Sequence, residues 1–274
     1  MGQTNRISNL INGEATIDEE NPTKKYCGFI RGRDLNPARM VIAEMVGTFM
    51  LVYCVCGIIA ISEMMGGGGG VGLLEYAVTG GLSIIVVIFS IGPISGAHVN
   101  PSITFAFAIL GQFPWSRVPF YIVAQIVGSI FATYVGKSVY GIQADQVITK
   151  PVLHGRKKAF WAELIATFII MFLAASMSRK AHRVGHISGV VVGVAISLAV
   201  LITGPVSGGS LNPARSMGPA IVSGKFDDLW VYVLAPTVGA AAGALLFRGL
   251  CIRCHHPRCS PNTSVPNEGG LFAN

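Results

Sequence analysis

Long apolar stretches separated by short polar connections dominate the middle of the chain. Six of them, each about 18–22 residues long, cover approximately 41–62, 74–92, 118–136, 159–178, 187–204 and 229–248. A helix of that length crosses a hydrocarbon core of roughly 30 Å. The pattern predicts an all-α membrane protein with six transmembrane helices in one domain over 39–250. The more polar ends, 1–38 and 251–274, are predicted to be disordered.

The apolar pattern is duplicated, and each half contains an Asn-Pro tripeptide. Asn100-Pro101-Ser102 recurs 112 positions later as Asn212-Pro213-Ala214, and Gly and Pro precede both copies at matching places. The repeat halves span about 41–136 and 159–248. Each half holds three spans, and because three is odd, the two halves must cross the membrane in opposite directions. The chain is therefore predicted to be an inverted internal repeat, a design that places a substrate path at the interface between repeats.

Each tripeptide is followed by an apolar run, 103–110 and 217–222, that is too short to span a membrane. Two re-entrant half-helices that enter from opposite faces and meet near the midplane explain this length. Asn is a favoured N-cap and Pro suits the first helical turn. Both N-termini then point inward with partial positive charge, which repels cations. The Asn100 and Asn212 amides are left to donate to neutral oxygens in the path.

Two acidic residues, Glu44 and Glu163, occupy matching places in the first span of each half. An ionisable residue inside a span is a functional candidate, and a proton relay is one interpretation. Their symmetric placement favours the other interpretation, in which they bind backbone groups of the re-entrant loops.

Charge and composition exclude several classes of protein. Charged residues make up 12% of the chain, about half the share in soluble domains. With both termini in the cytoplasm, 13 of the 20 Lys and Arg residues lie inside, so the net charge of +7 favours an anionic leaflet and requires no nucleic acid. The sequence has no nucleophile–base pair and no phosphate-binding loop, so neither an enzyme nor a cofactor is predicted. The tail Cys251–Cys259 has metal-ligand residue types but no surrounding domain, so no metal site is predicted.

The paired motifs and carboxylates resemble those of the aquaporin (major intrinsic protein) family along residues 40–248. The stretches 204–209 and 226–230 are similar to those of plant nodulin-26-like intrinsic proteins. Ser102 and the run 73–79 resemble members that conduct boric acid. The resemblance implies an aquaporin-type channel domain, a homotetramer with one pore per protomer, and a place in the plasma membrane.

The resemblance also implies a selectivity filter formed by Gly80, Val200, Gly209 and Arg215. Water-selective members have a large aromatic residue and a His at the first two positions, and this chain has neither. Two glycines and a valine imply a wide opening with the Arg215 guanidinium as its side-chain donor. The expected cargo is small, neutral and hydroxylated: boric acid first, then arsenous acid, glycerol and urea, with low water permeability.

Tyr76 lies one helical turn from Gly80 on the same face. It is either a gate at the pore mouth or an aromatic-belt residue at the membrane interface.

Two other functions compete with the passive channel. An ion-coupled transporter shares the inverted repeat but needs acidic residues beyond Glu44 and Glu163. A water-selective aquaporin needs the filter aromatic and the His.

Overall fold

The structure is a computed structural model that describes residues 36–65, 72–152, 155–179 and 187–252. Contacts divide the chain into units 1–37 and 38–274, and the fold given below is that of the second unit. The predicted disordered termini lie outside the described residues, except that helices extend to Pro37 at one end and Ile252 at the other.

The described ranges form eight α-helices and two short 3-10 turns, Trp115–Arg117 and Ala144–Gln146. The α-helices are α1 (Pro37–Met64), α2 (Leu73–Ser95), α3 (Pro101–Ile109), α4 (Val118–Tyr140), α5 (Gly155–Arg179), α6 (Ser188–Ser207), α7 (Pro213–Ser223) and α8 (Leu229–Ile252). Six of these, all except α3 and α7, are long and apolar enough to cross a membrane. The predicted fold class is confirmed.

The bundle has an apolar outer surface and several polar residues inside, as a membrane protein requires. Phe120, Phe131 and Trp161 are each about 60% exposed on the outside of the bundle. Glu44 and Glu163 are completely buried. Because lipid cannot satisfy polar groups, polar side chains are tolerated in a spanning helix where they contact protein or line a water-filled cavity.

Matching helices of the two halves pack through matching glycines. A Cβ atom on Gly128 of α4 would overlap the Met45 carbonyl of α1, and one on Gly239 of α8 would overlap the Leu164 carbonyl of α5. Small residues at such crossings let helix backbones approach closely in membranes. The repeated sequence thus builds the same helix pair twice.

The half-helices α3 and α7 exchange partners between the halves. Helix α3 belongs to the first half and packs against α8 of the second, while α7 of the second half packs against α4 of the first. The preceding helices α2 and α6 both end at a glycine in the left-handed region, Gly96 (φ 91°) and Gly208 (φ 79°), which turns the chain back into the bundle. The two Asn-Pro motifs therefore meet inside the protein.

Candidate solute pathway

The two Asn-Pro motifs are joined by reciprocal hydrogen bonds. Asn100 Nδ2 donates to the Leu211 carbonyl at 2.8 Å, and Asn212 Nδ2 donates to the Val99 carbonyl at 2.7 Å. The structure thus brings together the two predicted motif asparagines. One N–H of each amide holds the other half of the protein, which leaves its second N–H for a passing solute.

The same asparagines cap the half-helices. Asn100 Oδ1 accepts from the backbone N–H of Ser102 at 2.9 Å, and Asn212 Oδ1 accepts from that of Ala214 at 3.0 Å. Pro101 and Pro213 occupy the first helical positions, where a missing N–H costs no hydrogen bond. Each Asn side chain is therefore fixed at both ends, with its amide nitrogen directed toward the junction.

The first buried carboxylate, Glu44, holds the re-entrant loop that precedes α3. Its Oε1 accepts from the Ser95 hydroxyl at 2.7 Å and the His98 N–H at 2.9 Å. Its Oε2 accepts from the Val99 N–H at 2.7 Å and from Gln125 Nε2 at 2.8 Å. All of these donors come from within the fold.

Glu163 holds the second re-entrant loop in the same way. Its Oε1 accepts from the Ser207 hydroxyl at 2.6 Å and the Ser210 N–H at 2.9 Å, and its Oε2 accepts from the Leu211 N–H at 2.6 Å. The repeat places Pro236 where the first half has Gln125, so this carboxylate has one donor fewer.

Val99 and Leu211 are the backbone positions on which both networks converge. Their φ angles are +41° and +58°, a conformation that residues with a Cβ atom rarely adopt. Each gives its N–H to a buried carboxylate and receives an Asn amide at its carbonyl. Strained backbone persists where its surroundings fix it, and here the two Glu and two Asn side chains do so.

A cavity of about 260 Å³ runs past this junction, from Tyr76 and Arg215 at one end to Met177 and Ser188 at the other. Asn100 and Asn212 line it, together with apolar side chains of α1, α2, α5 and α6. We call the end near Tyr76 the upper end of the pathway. All four predicted filter residues line the same cavity: Gly80, Val200, Gly209 and Arg215.

The two filter glycines have different surroundings. A Cβ atom on Gly80 would meet Val200 Cγ2 alone, at 3.9 Å, so this helix face borders open space. A Cβ atom on Gly209 would lie 3.1 Å from Val200 Cγ1, and the φ of +63° at Gly209 disfavours any side chain. Val200 thus lies between the two glycines and sets the apolar side of the opening.

Arg215 is 5% exposed, and its side chain is held at both terminal nitrogens. Nη1 donates to the Val147 carbonyl at 2.7 Å, and Nη2 donates to the Tyr76 hydroxyl at 3.0 Å. The Tyr76 hydroxyl in turn donates to the Gly208 carbonyl at 3.4 Å. Tyr76 therefore bridges two elements that border the opening.

A second cavity, of about 350 Å³, lies above this contact. Residues Ile58, Leu73 and Lys150 contribute to its walls, and it shares Tyr76 and Arg215 with the lower cavity. The hydrogen-bonded pair of Tyr76 and Arg215 therefore lines both cavities, which we call the lower and the upper chamber.

Sequence reasoning missed several contacts at the site, and only some of them have a signal in the repeat. The Val147 carbonyl lies in the irregular connecting segment 141–152, which contains no repeated motif. The Tyr121 hydroxyl donates to the Ser95 carbonyl at 2.9 Å, and that of Tyr232 donates to the Ser207 carbonyl at 2.8 Å. These tyrosines occupy matching places in the repeat, which is the signal that could have found them.

Comparisons with known proteins agree with this architecture. The family described as Major intrinsic protein matches residues 32–247. "Probable aquaporin NIP7-1" of Arabidopsis thaliana is 55% identical over 240 residues, which are 87% of this chain and 85% of that protein. "Aquaporin NIP2-1" of Oryza sativa subsp. japonica is 38% identical over 240 residues, 86% of this chain and 80% of that protein.

A solved structure, the aquaglyceroporin from Plasmodium falciparum, superimposes with a TM-score of 0.73. It covers 80% of this chain and 98% of its own at 24% identity, which shows the shared fold.

The six spanning helices, the family match and the aquaporin relatives define a multi-pass membrane channel for small solutes, not an enzyme. The chain belongs to the major intrinsic protein family, and its NIP-type relatives identify it as a plant nodulin-26-like intrinsic protein.

Proposed function

We propose that the chain is a passive pore for small, neutral, hydroxylated solutes, with boric acid as its foremost cargo and low water permeability. Arsenous acid, glycerol and urea are further cargoes. The observation that carries the proposal is the set of four residues that line the upper end of the first cavity. Gly80 and Gly209 contribute no side chain, Val200 contributes two methyl groups, and Arg215 contributes a fixed donor.

The width of this opening favours solutes larger than water. A water-selective filter requires bulky side chains that force single-file passage, and Gly80 has open space where such a side chain would stand. A hydroxylated solute that fills the wider opening replaces its lost hydration with hydrogen bonds to Arg215 and to backbone carbonyls. Boric acid, with three hydroxyls on a planar centre, matches this combination of width and polarity.

Electrostatics oppose cationic cargo. The Arg215 guanidinium carries a positive charge, and the N-termini of α3 and α7 both point at the junction. These positive charges and partial charges oppose cations in a region with little water.

The carboxylates support a passive channel over an ion-coupled transporter. Glu44 accepts four hydrogen bonds and Glu163 accepts three, all from groups of the protein. A proton carrier needs a carboxylate that contacts the pathway and changes partners. These two carboxylates instead hold the loops that carry the asparagines.

We also propose that Tyr76 is a gate. Its hydroxyl contacts Arg215 and Gly208 at the boundary between the two chambers, so its rotation would join them. An aromatic-belt residue would direct its hydroxyl to the lipid interface. The position of this hydroxyl favours the gate.

The proposal includes the setting of the channel. We expect a homotetramer with a pore in each protomer, in the plasma membrane, with both termini in the cytoplasm. The upper chamber then faces the outside. The distribution of Lys and Arg supports this orientation.

Uptake of boric acid into proteoliposomes, with and without a proton or sodium gradient, tests the proposal. A passive channel equilibrates boric acid at the same rate in both conditions and never accumulates it. Accumulation that depends on a gradient would identify a transporter. Empty liposomes and the Arg215→Ala variant are the controls for leak and for passage through the assigned opening.

A further inference from the structure

Three buried hydroxyls form a chain beside Arg215. Thr149 Oγ1 lies 2.7 Å from Ser216 Oγ, which lies 2.5 Å from Ser210 Oγ. The three residues are 4%, 1% and 7% exposed. Thr149 also lines the upper chamber and Ser210 lines the lower one, so the three hydroxyls connect the walls of the two chambers.

This row of hydrogen-bonded hydroxyls ends at a backbone carbonyl. The Ser210 hydroxyl donates to the Asn212 carbonyl at 3.1 Å, and in each of the two hydroxyl–hydroxyl contacts either oxygen can be the donor. A carbonyl oxygen does not pass a proton onward, which argues against a proton path around Arg215. The arrangement is instead a mechanical connection between segment 141–152 and the start of α7.

The Thr149–Ser216 contact lies next to the hydrogen bond that fixes the Arg215 guanidinium. Arg215 and Ser216 are consecutive in α7, and Val147 and Thr149 are two residues apart in segment 141–152. The Val147–Arg215 and Thr149–Ser216 contacts are therefore neighbouring links between the same two elements. The Val147–Arg215 bond orients the guanidinium of the proposed filter. The Thr149–Ser216 contact holds the segment that carries the Val147 carbonyl.

The other side-chain link in this region is much more exposed. Lys225 Nζ lies 2.7 Å from Asp145 Oδ2, and the two side chains are 53% and 38% exposed. Exposed ion pairs contribute little because water competes for both partners. The Thr149 hydroxyl is buried against α7 and is shielded from that competition.

We propose that Thr149 is a positioning residue for the selectivity filter. Through Ser216 it holds segment 141–152 against α7, so that the Val147 carbonyl keeps the Arg215 guanidinium at the opening. This inference rests on the proposed function of Arg215 as the filter donor. Thr149 acts through Arg215 and need not touch the solute.

The test compares Thr149→Val, which removes the hydroxyl but keeps the shape, with Thr149→Ser, which keeps the hydroxyl. Thr133→Val is the matched control, because Thr133 is equally buried but bonds the Ser129 carbonyl within α4. Boric acid and water permeability are measured by stopped flow in proteoliposomes, per folded channel. Their ratio is the readout, since general loss of folded protein lowers both permeabilities together.

We expect Thr149→Val to lower the boric acid-to-water ratio by roughly threefold to tenfold, the factor that one ordinary hydrogen bond corresponds to. Thr149→Ser and Thr133→Val should keep the wild-type ratio. In an Arg215→Ala background, Thr149→Val should cause no further change. An unchanged ratio in Thr149→Val, or an equal effect with and without Arg215, would overturn the inference.

A structure of the Thr149→Val channel separates this inference from the proposed function. We expect the distance from Arg215 Nη1 to the Val147 carbonyl to exceed hydrogen-bonding range in Thr149→Val and to stay near 2.7 Å in Thr149→Ser. A wild-type channel that carries no hydroxylated solute would refute the proposed function alone. An intact contact in the Thr149→Val structure would refute the positioning role, whatever the cargo.

Discussion

Gly80 and Gly81 are adjacent in α2, yet the structure predicts opposite results when each is changed to Ala. A Cβ atom on Gly80 would meet one atom, Val200 Cγ2, at an ordinary contact distance of 3.9 Å. A Cβ atom on Gly81 would overlap Ser197 Oγ and the Gly193 carbonyl of α6. The first glycine borders the pathway, and the second is required for helix packing.

The expected stabilities follow from these surroundings. In a helix interior, replacing Gly with Ala stabilises by roughly 0.5–1 kcal/mol when nothing clashes, because Ala restricts the unfolded chain. Gly80→Ala should therefore fold at least as well as the wild type. Overpacking a tight contact costs about 1–3 kcal/mol, so Gly81→Ala should lose stability.

The expected permeabilities differ in the same way. In Gly80→Ala, the added methyl group fills the gap between α2 and Val200. The opening is therefore narrower by about the width of one methyl group. Glycerol flux should fall most, boric acid flux less and water flux least, because the loss follows solute size. Gly81→Ala should lower all three fluxes together, since it reduces the amount of folded channel.

Stopped-flow measurements on proteoliposomes with quantified protein give the three fluxes, and thermal unfolding in detergent gives the stability. The assignment of Gly80 to the opening would be refuted by a Gly80→Ala channel with an unchanged glycerol-to-water ratio. A Gly80→Ala channel as unstable as Gly81→Ala would refute the claim that this face of α2 borders open space.

Two further predictions concern single hydrogen bonds. Tyr76→Phe removes the hydroxyl that accepts from Arg215 while keeping the ring, so boric acid flux should rise, and it should rise further in Tyr76→Ala; unchanged stopped-flow rates in both variants would exclude a gate at this position. Glu163→Gln places an amide N–H among buried donors such as the Leu211 N–H, which should cost about 1–3 kcal/mol and lower the unfolding midpoint. Glu63→Gln, at an exposed position, is the control, and equal midpoints for the two variants would contradict the role of Glu163 in holding the loop.

Much of the fold could be predicted because duplication leaves a visible record in the sequence. The offset between Asn100 and Asn212, together with three spans per half, is sufficient for an inverted repeat with two half-helices. The structure has those half-helices at Pro101–Ile109 and Pro213–Ser223. Helix ends were less predictable, because helices such as α1 continue beyond their apolar stretch.

The details of the site were harder to predict because they depend on backbone groups. The bond from Asn100 to the Leu211 carbonyl joins positions 111 residues apart, and a carbonyl has no sequence signature. The partner of Arg215, the Val147 carbonyl, lies in an irregular segment without periodicity. The filter positions follow from the family resemblance.

The ratio of boric acid to water permeability in wild-type proteoliposomes tests the central claim most directly. We expect boric acid to enter much faster than into empty liposomes, while water flow rises only slightly above the background rate of the lipid. Fast water flow with boric acid entry no greater than that of empty liposomes would contradict an opening shaped by Gly80, Val200, Gly209 and Arg215 for hydroxylated solutes.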